Sequence, residues 1–353
     1  MTGREGSTDG FTKGAETAVC PACGGPARNQ YSSLPGYREP LRYDVMVCGQ
    51  CRASFARPLK VDGEVYELVY RYAWRTPGYH EYFTFADGVR RATDPLSYLE
   101  AVSPVHWVVG RYLREKSKGR VPRILEVGCG LGYFTYALSR AGYDATGVDI
   151  SREAVEKARR RYGDLFVCAD LLSGGCDDLG RFDVVVCTEM IEHVEDPGAV
   201  LRAAQGYLED DGELVLTTPN KSAYPENAVW ETDLPPVHLW WFTPGSIEFL
   251  AAGAGFSGVR FRDFAGCPSG WVHPDRSRDF SRPVGRPVFD RKGRLFFEGS
   301  RKLAFRLALR NLARRAGVLD TILHLKRGAA GRGSAPGPSG SSGHANLCAV
   351  LAR

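Results

Sequence analysis

The sequence predicts an α/β fold, a doubly wound sheet of seven mostly parallel strands, with a small cysteine-bearing module ahead of it. Three features carry this expectation. From residue 123 onward, short apolar strands alternate with helical stretches, the signature of a parallel sheet covered on both faces. The first of those strands runs into a turn with glycine at alternate positions, Gly128, Gly130 and Gly132, which opens a helix. Two CxxC pairs, Cys20/Cys23 and Cys48/Cys51, share one short N-terminal stretch.

The sheet strands are expected at 123–128, 145–150, 165–169, 182–188, 213–218, 258–264 and 345–352. Helices such as 151–163 and 196–210 lie between them, the second with Asp196 as N-cap and Pro197 in its first turn. With 353 residues, 43% hydrophobic and 25% charged, the chain has enough apolar material for a sizeable core. No run approaches the ~18 apolar residues of a membrane-spanning helix. Residues 1–18 are polar and lack a secretory signal's apolar run, so they read as a disordered lead and the default location is the cytoplasm.

In that setting the paired cysteines point to a metal rather than to disulfides. Twenty-four residues separate Cys23 from Cys48, and Gly24 and Gly49 favour the tight knuckles of a zinc ribbon over roughly 19–58. Cys20, Cys23, Cys48 and Cys51 fill a tetrahedral Zn2+, which leaves no open position and makes the metal structural. A thioredoxin-like redox pair is the weaker alternative, because the surrounding fold is missing.

Residues 59–120 form an aromatic-rich, mostly helical connector; 121–265 plus 344–353 form the sheet domain. Between its last two strands lie a basic stretch, 266–327, expected as a helical insert, and a Gly/Ser/Pro tether, 328–343. Residues 273–327 hold 15 Lys and Arg against 5 Asp and Glu, in a chain whose net charge is +5. Such an excess suits an anionic partner or a solvated helix face. Leu303, Phe305, Leu307, Leu309, Leu312 and Leu319 give the stretch a broad apolar face. That argues for burial or peripheral membrane contact, and against a phosphate-tracking surface.

The glycine turn carries the chemistry. GxGxG two places after Glu126 differs from the GxGxxG of pyrophosphate sites and suits a ligand with no phosphate and a charged amino-acid tail. Asp149, at the tip of the second strand, can accept hydrogen bonds from ribose hydroxyls. Asp170 at the third tip can meet an adenine amino group or simply cap a turn. Glu189, Glu192 and His193 lie just beyond the fourth.

LEVGCGLG, GVDIS, CADL, FDVVVCTEMIEHVEDPGAVL and GELVLTTPN, in that order, resemble class I S-adenosylmethionine methyltransferases, especially the subgroup with the ubiquinone-pathway O-methyltransferases. The resemblance covers about 121–264 and the final strand. It implies that Glu126, Gly128, Cys129, Gly130 and Gly132 hold the methionine portion, and that Asp149 and Ile150 meet the ribose. Asp170 and Leu171 would flank the adenine, with Glu189 also in the cofactor site. It places His193 beside the acceptor, where the EMxEHV pattern can bind a divalent cation, and His238 near it. Either histidine suits a general base. The expected function is methyl transfer to a small molecule: a sugar, glycan precursor or secondary metabolite, on oxygen or carbon. Some sugar C-methyltransferases also carry a four-cysteine module. So do certain ribosomal-RNA guanine methyltransferases, the second reading; a non-catalytic S-adenosylmethionine-binding protein is the third.

Overall fold

The computed structural model describes residues 17–72, 76, 79–117, 120–224, 234–267, 287–296 and 344–353. Most of the expected basic insert, the tether and nearly all of the polar lead lie outside them.

The cysteine module is an antiparallel meander of β1 (Thr17–Val19), β2 (Pro26–Pro35), β3 (Arg42–Cys48) and β4 (Ser54–Arg57). The connector that follows is helical: α1 (Gly63–Tyr72), α2 (His80–Arg91), α3 (Pro95–Val102) and α4 (Pro104–Lys116). The last two start on side-chain caps. Asp94 accepts from the Ser97 amide at 3.0 Å, and Ser103 from the His106 amide at 3.5 Å; each cap is followed by proline in the first turn.

The second sheet holds β5 (Arg123–Val127), β6 (Asp144–Asp149), β7 (Phe166–Cys168), β8 (Phe182–Thr188), β9 (Leu208–Pro219), β11 (Gly258–Phe261) and β12 (Asn346–Ala352), leaving β10 (Trp240–Trp241) to the module. Its order is β11-β12-β9-β8-β5-β6-β7. β5 to β9 run parallel, while β12 is antiparallel to both β9 and β11. This is the doubly wound, seven-stranded arrangement the sequence predicts. Strand order reverses between β5 and β8, and at such a switch point an open α/β sheet leaves a crevice beyond its strand ends. Helices α5 (Tyr133–Arg140), α6 (Arg152–Tyr162), α7 (Pro197–Gly206) and α8 (Pro244–Gly253) supply the crossovers.

One local expectation changes, and one strand appears where none was expected. The helix after Asp196 ends at Gly206 instead of continuing to Asp210, and β9 begins early, at Leu208. Gly206 is a poor helix residue, and fully buried Leu208 pairs with Phe182 across a register shift in the β8–β9 ladder. The unexpected strand is β10, which pairs antiparallel with β4, Trp240 opposite Phe55 and Trp241 opposite Ser54. The meander thus takes its fifth strand from the segment that follows β9.

This shared strand joins the two sheets through one apolar cluster running from Met46 and Phe55 through Trp240 and Phe242 to Leu216 and Ile191. Trp240 is fully buried, 5.6 Å from the Phe55 ring and stacked 5.9 Å from Phe242. Truncating a core aromatic of this kind costs about 3–5 kcal/mol. Beneath the sheet, Lys221 donates to Ser54 in a buried contact, and the Ala56 amide donates to the Leu239 carbonyl at 2.8 Å. Among the described residues, no helix is long and apolar enough to cross a membrane.

Candidate active site

The site begins where β5 stops. Gly128, Gly130 and Gly132 all take φ between +50° and +74°, the left-handed region that side chains resist. At Gly132 a Cβ would also lie 2.5 Å from the Phe166 ring and 2.7 Å from Ala158. The turn is therefore closed to other residues at that position. The turn is pinned by its own amides: those of Gly128 and Cys129 donate to the Val148 carbonyl at 2.8 and 3.1 Å, and the Gly130 amide donates to Asp149 Oδ2 at 2.8 Å.

Asp149 Oδ1 accepts from the Ser151 amide at 2.8 Å, so the carboxylate is fixed at the tip of β6. Burial raises its pKa against the lowering effect of these two amides. Glu126, on β5, is 3% exposed and hydrogen-bonded to Thr135. Burial pushes its carboxyl up to about 7, with the Thr135 bonds opposing. Cys129 is a buried thiol whose pKa burial also raises, so it stays protonated. Ile150 is 72% exposed at the rim, and Leu171 is buried. Asp170 caps the turn that contains Leu171, accepting from the Leu172 amide at 2.9 Å.

Beyond β8, Glu189 holds φ at +48°, a strained value for a residue with a side chain, and accepts from Asn346 Nδ2 at 3.1 Å. The next turn brings Glu192, His193 and His238 together, with one ligand atom from each within 4.8 Å of the others. His193 Nδ1 donates to the Val237 carbonyl at 2.6 Å, which leaves Nε2 as the basic nitrogen, 3.8 Å from Glu192 Oε1. Glu192 accepts from Thr218 Oγ1 at 2.9 Å. His238 stands edge-on to His193, ring centres 4.6 Å apart; burial and the neighbouring His193 hold it neutral.

These parts border one cavity of about 1080 Å3. The glycine turn, Asp149, Asp170 and Leu171 line one end, and Glu189 and His193 the other; His238 lies behind His193. Helices α1, α2 and α4 cover it with Tyr66, Tyr70, Tyr82 and His106. Sequence reasoning missed His106. It is 4% exposed, ringed by Phe85, Tyr133 and Phe134, and its Nδ1 has no hydrogen-bond partner among the described residues. Burial lowers its pKa to about 3, so the imidazole is neutral. Only its place two residues into a proline-capped helix hinted at it, and nothing in the sequence says that this helix roofs the crevice.

At the far end of the chain's first sheet, the four cysteines close on one point. Cys20 and Cys51 Sγ are 3.7 Å apart, Cys23 and Cys48 Sγ 3.4 Å. All four sulfurs fall within 4.8 Å of one another, and the Gly25 and Gln50 amides donate to the Cys23 and Cys48 sulfurs. The bond with Cys51 lowers the Cys20 pKa to about 5, and Cys51 is raised in turn. A four-sulfur set of this size fits a tetrahedral Zn2+.

A glycine turn, an acid at the second strand tip and a doubly wound sheet with an antiparallel β12 define an α/β domain with an open crevice at its switch point. The comparisons make the class specific. Residues 105–260 match the family described as "Methyltransferase domain". The chain is 35% identical over 136 residues to a ubiquinone biosynthesis O-methyltransferase of Xanthomonas axonopodis pv. citri, covering 37% of this chain and 56% of that protein. It is 32% identical over 121 residues to the same-named enzyme of Actinobacillus pleuropneumoniae, covering 31% and 52%. The chain thus spans about half the length of the curated relatives it matches. Similar solved structures include the plantazolicin methyltransferase BpumL in complex with SAH, at 16% identity, TM-score 0.42 and coverage of 82% and 95%. Another is a SAM-dependent methyltransferase from Archaeoglobus fulgidus, at 16%, 0.42, 77% and 99%. The methyltransferase-domain match thus falls on the doubly wound sheet from β5 to β11 and on α4 before it.

Proposed function

We propose that this chain transfers a methyl group from S-adenosylmethionine to a small-molecule acceptor. The observation that carries the reading is the single cavity that runs from the glycine turn and Asp149 to His193. Bound S-adenosylmethionine supplies a methyl group already activated on a sulfonium, so the protein's main task is alignment. The glycine turn and Glu126 receive the amino-acid end, Asp149 the ribose, and Asp170 with Leu171 the adenine edge. Cys129, Ile150 and Glu189 complete the wall.

At the other end, His193 takes the proton from the acceptor. Its Nδ1 bond to Val237 fixes the tautomer that presents Nε2, and Glu192 beside Nε2 stabilises the imidazolium that forms. His238 packs against His193 and holds its plane. O-methylation of a sugar, glycan precursor or secondary metabolite fits this base; the curated relatives, named for an O-methylation, support oxygen over carbon. The acids and histidines of this turn also suit a divalent cation, a second reading favoured by their clustering. The four cysteines hold a structural Zn2+.

Incubating the full chain with labelled S-adenosylmethionine and either small-molecule or RNA extracts tests the proposal. Label is expected in small molecules and to vanish with His193→Ala. Label in RNA alone would reverse the assignment. Loss of label on chelation, with the four-cysteine metal retained, would favour the cation reading over the unaided base.

A further inference from the structure

The acceptor end of the cavity is acidic and aromatic. Of the nine acids that line the whole cavity, seven have protein work. Asp196 caps α7 through the Ala199 amide at 2.8 Å, Glu195 accepts from the Val61 amide at 2.9 Å, and Glu153 pairs with Lys157 at 2.6 Å. Glu126, Asp149, Asp170 and Glu189 are held as described above. Two are left over. Glu67 on α1 is exposed and Glu81 on α2 half-buried, and neither forms an ion pair among the described residues.

These two carboxylates flank a set of tyrosines. Tyr66 lies on the same helix as Glu67, while Tyr70, one turn on, carries its hydroxyl over Gly130 and Asp149 where the two ends meet; Tyr79 and Tyr82 bracket Glu81, their ring centres 5.5 Å apart and edge to face. Burial raises the Tyr66, Tyr70 and Tyr82 phenols well above their ordinary value, so they remain neutral. Neutral aromatic rings with nearby carboxylates are the arrangement that receives organic cations, through ring quadrupoles and direct charge pairing. His106, also in the lining, is neutral as well, and its buried Nδ1 offers a hydrogen bond with no charge. Among the described residues, no lysine or arginine lines the cavity.

We propose that the acceptor carries a protonated amine, seated between Glu67, Glu81 and the α1–α2 tyrosines, as a recognition handle separate from the atom methylated at His193. This rests on the methyltransferase reading and names its substrate class: a cationic, amine-bearing small molecule.

Three phenols of one shape test it: tyramine, 4-ethylphenol and 4-hydroxyphenylacetate, titrated into the full chain saturated with S-adenosylhomocysteine. Saturation is verified first. If S-adenosylhomocysteine does not bind, the methyltransferase reading fails, whatever the acceptor's charge. Tyramine is expected to bind about ten-fold more tightly than 4-ethylphenol, and the carboxylate weakest. The double variant Glu67→Gln/Glu81→Gln should lose that preference while still taking up S-adenosylhomocysteine, which shows that it is folded. The proposal is overturned if the neutral or anionic probe equals tyramine, or if none of the three binds at millimolar concentration. It is equally overturned if the double variant weakens S-adenosylmethionine relative to S-adenosylhomocysteine, since the acids would then serve the cofactor's sulfonium.

Discussion

The two ends of the cavity are built in different ways. The cofactor end comes from strand tips. Glu126 and Asp149 lie at the ends of β5 and β6, and the glycine turn and Asp170 just beyond β5 and β7, so the sheet's hydrogen bonding fixes their relative positions. The acceptor end comes from distant pieces: α1, α2 and α4 from before the sheet, the turn after β8, and residues 234–241, which β4 holds in place. The first end is a property of the fold; the second depends on packing between segments far apart in sequence. Perturbations should therefore separate the two, with the acceptor end yielding first.

The largest separation should come from metal removal. One zinc per chain is expected, and structural zinc binding is worth about 10–16 kcal/mol of folding free energy in small modules. Chelation should unfold the cysteine module and release β10, seen as a change in tryptophan fluorescence from Trp240 and Trp241, while cofactor binding survives. Purified protein without zinc, or with an iron–sulfur absorbance, would contradict the assignment.

Replacing the base comes next. His193→Ala should lower kcat by about 10²–10⁴-fold, the range for a lost general base, with cofactor affinity unchanged. A similar loss of cofactor affinity would erase the distinction between the two ends.

These contrasts also explain what could be read from sequence. The seven strands, the glycine turn and the strand-tip acids were legible because each is local: apolar periodicity followed by glycine or an acid at a strand end. The cysteine pairs were legible for the same reason. β10 was not, because WW in an aromatic run is equally a pocket wall or helix packing, and only β4 makes it a strand. His106, Glu67 and Glu81 were not, because their significance arises when α1, α2 and α4 close over a crevice formed by residues much later in the chain. The reading of 196–210 as one helix failed where Leu208 found a partner in Phe182, a tertiary contact overriding local pattern.

A smaller effect probes the cofactor end by pH. Burial holds the Glu126 carboxyl at about 7, against an ordinary value of 4.5. Between these values the folded state binds a proton that the unfolded state has lost, so this group makes the protein less stable as pH rises through that window. Glu126→Gln should then be more stable than the parent by about 3 kcal/mol at pH 8, with little difference at pH 4. Its affinity for S-adenosylmethionine should fall, since the ionised carboxylate that receives the ammonium is gone. Urea titrations at the two pH values measure the first part and calorimetry the second.

The central claim is that the strand-tip end of the cavity binds the nucleoside of S-adenosylmethionine, with Asp149 on the ribose. Calorimetry with S-adenosylhomocysteine on the full chain and on Asp149→Ala tests it most directly. One molecule should bind per chain, and the variant should bind more weakly by about 1.5–3 kcal/mol, the scale of losing hydrogen bonds to a charged group. Unchanged affinity in Asp149→Ala, or no binding by the parent chain, would contradict the account.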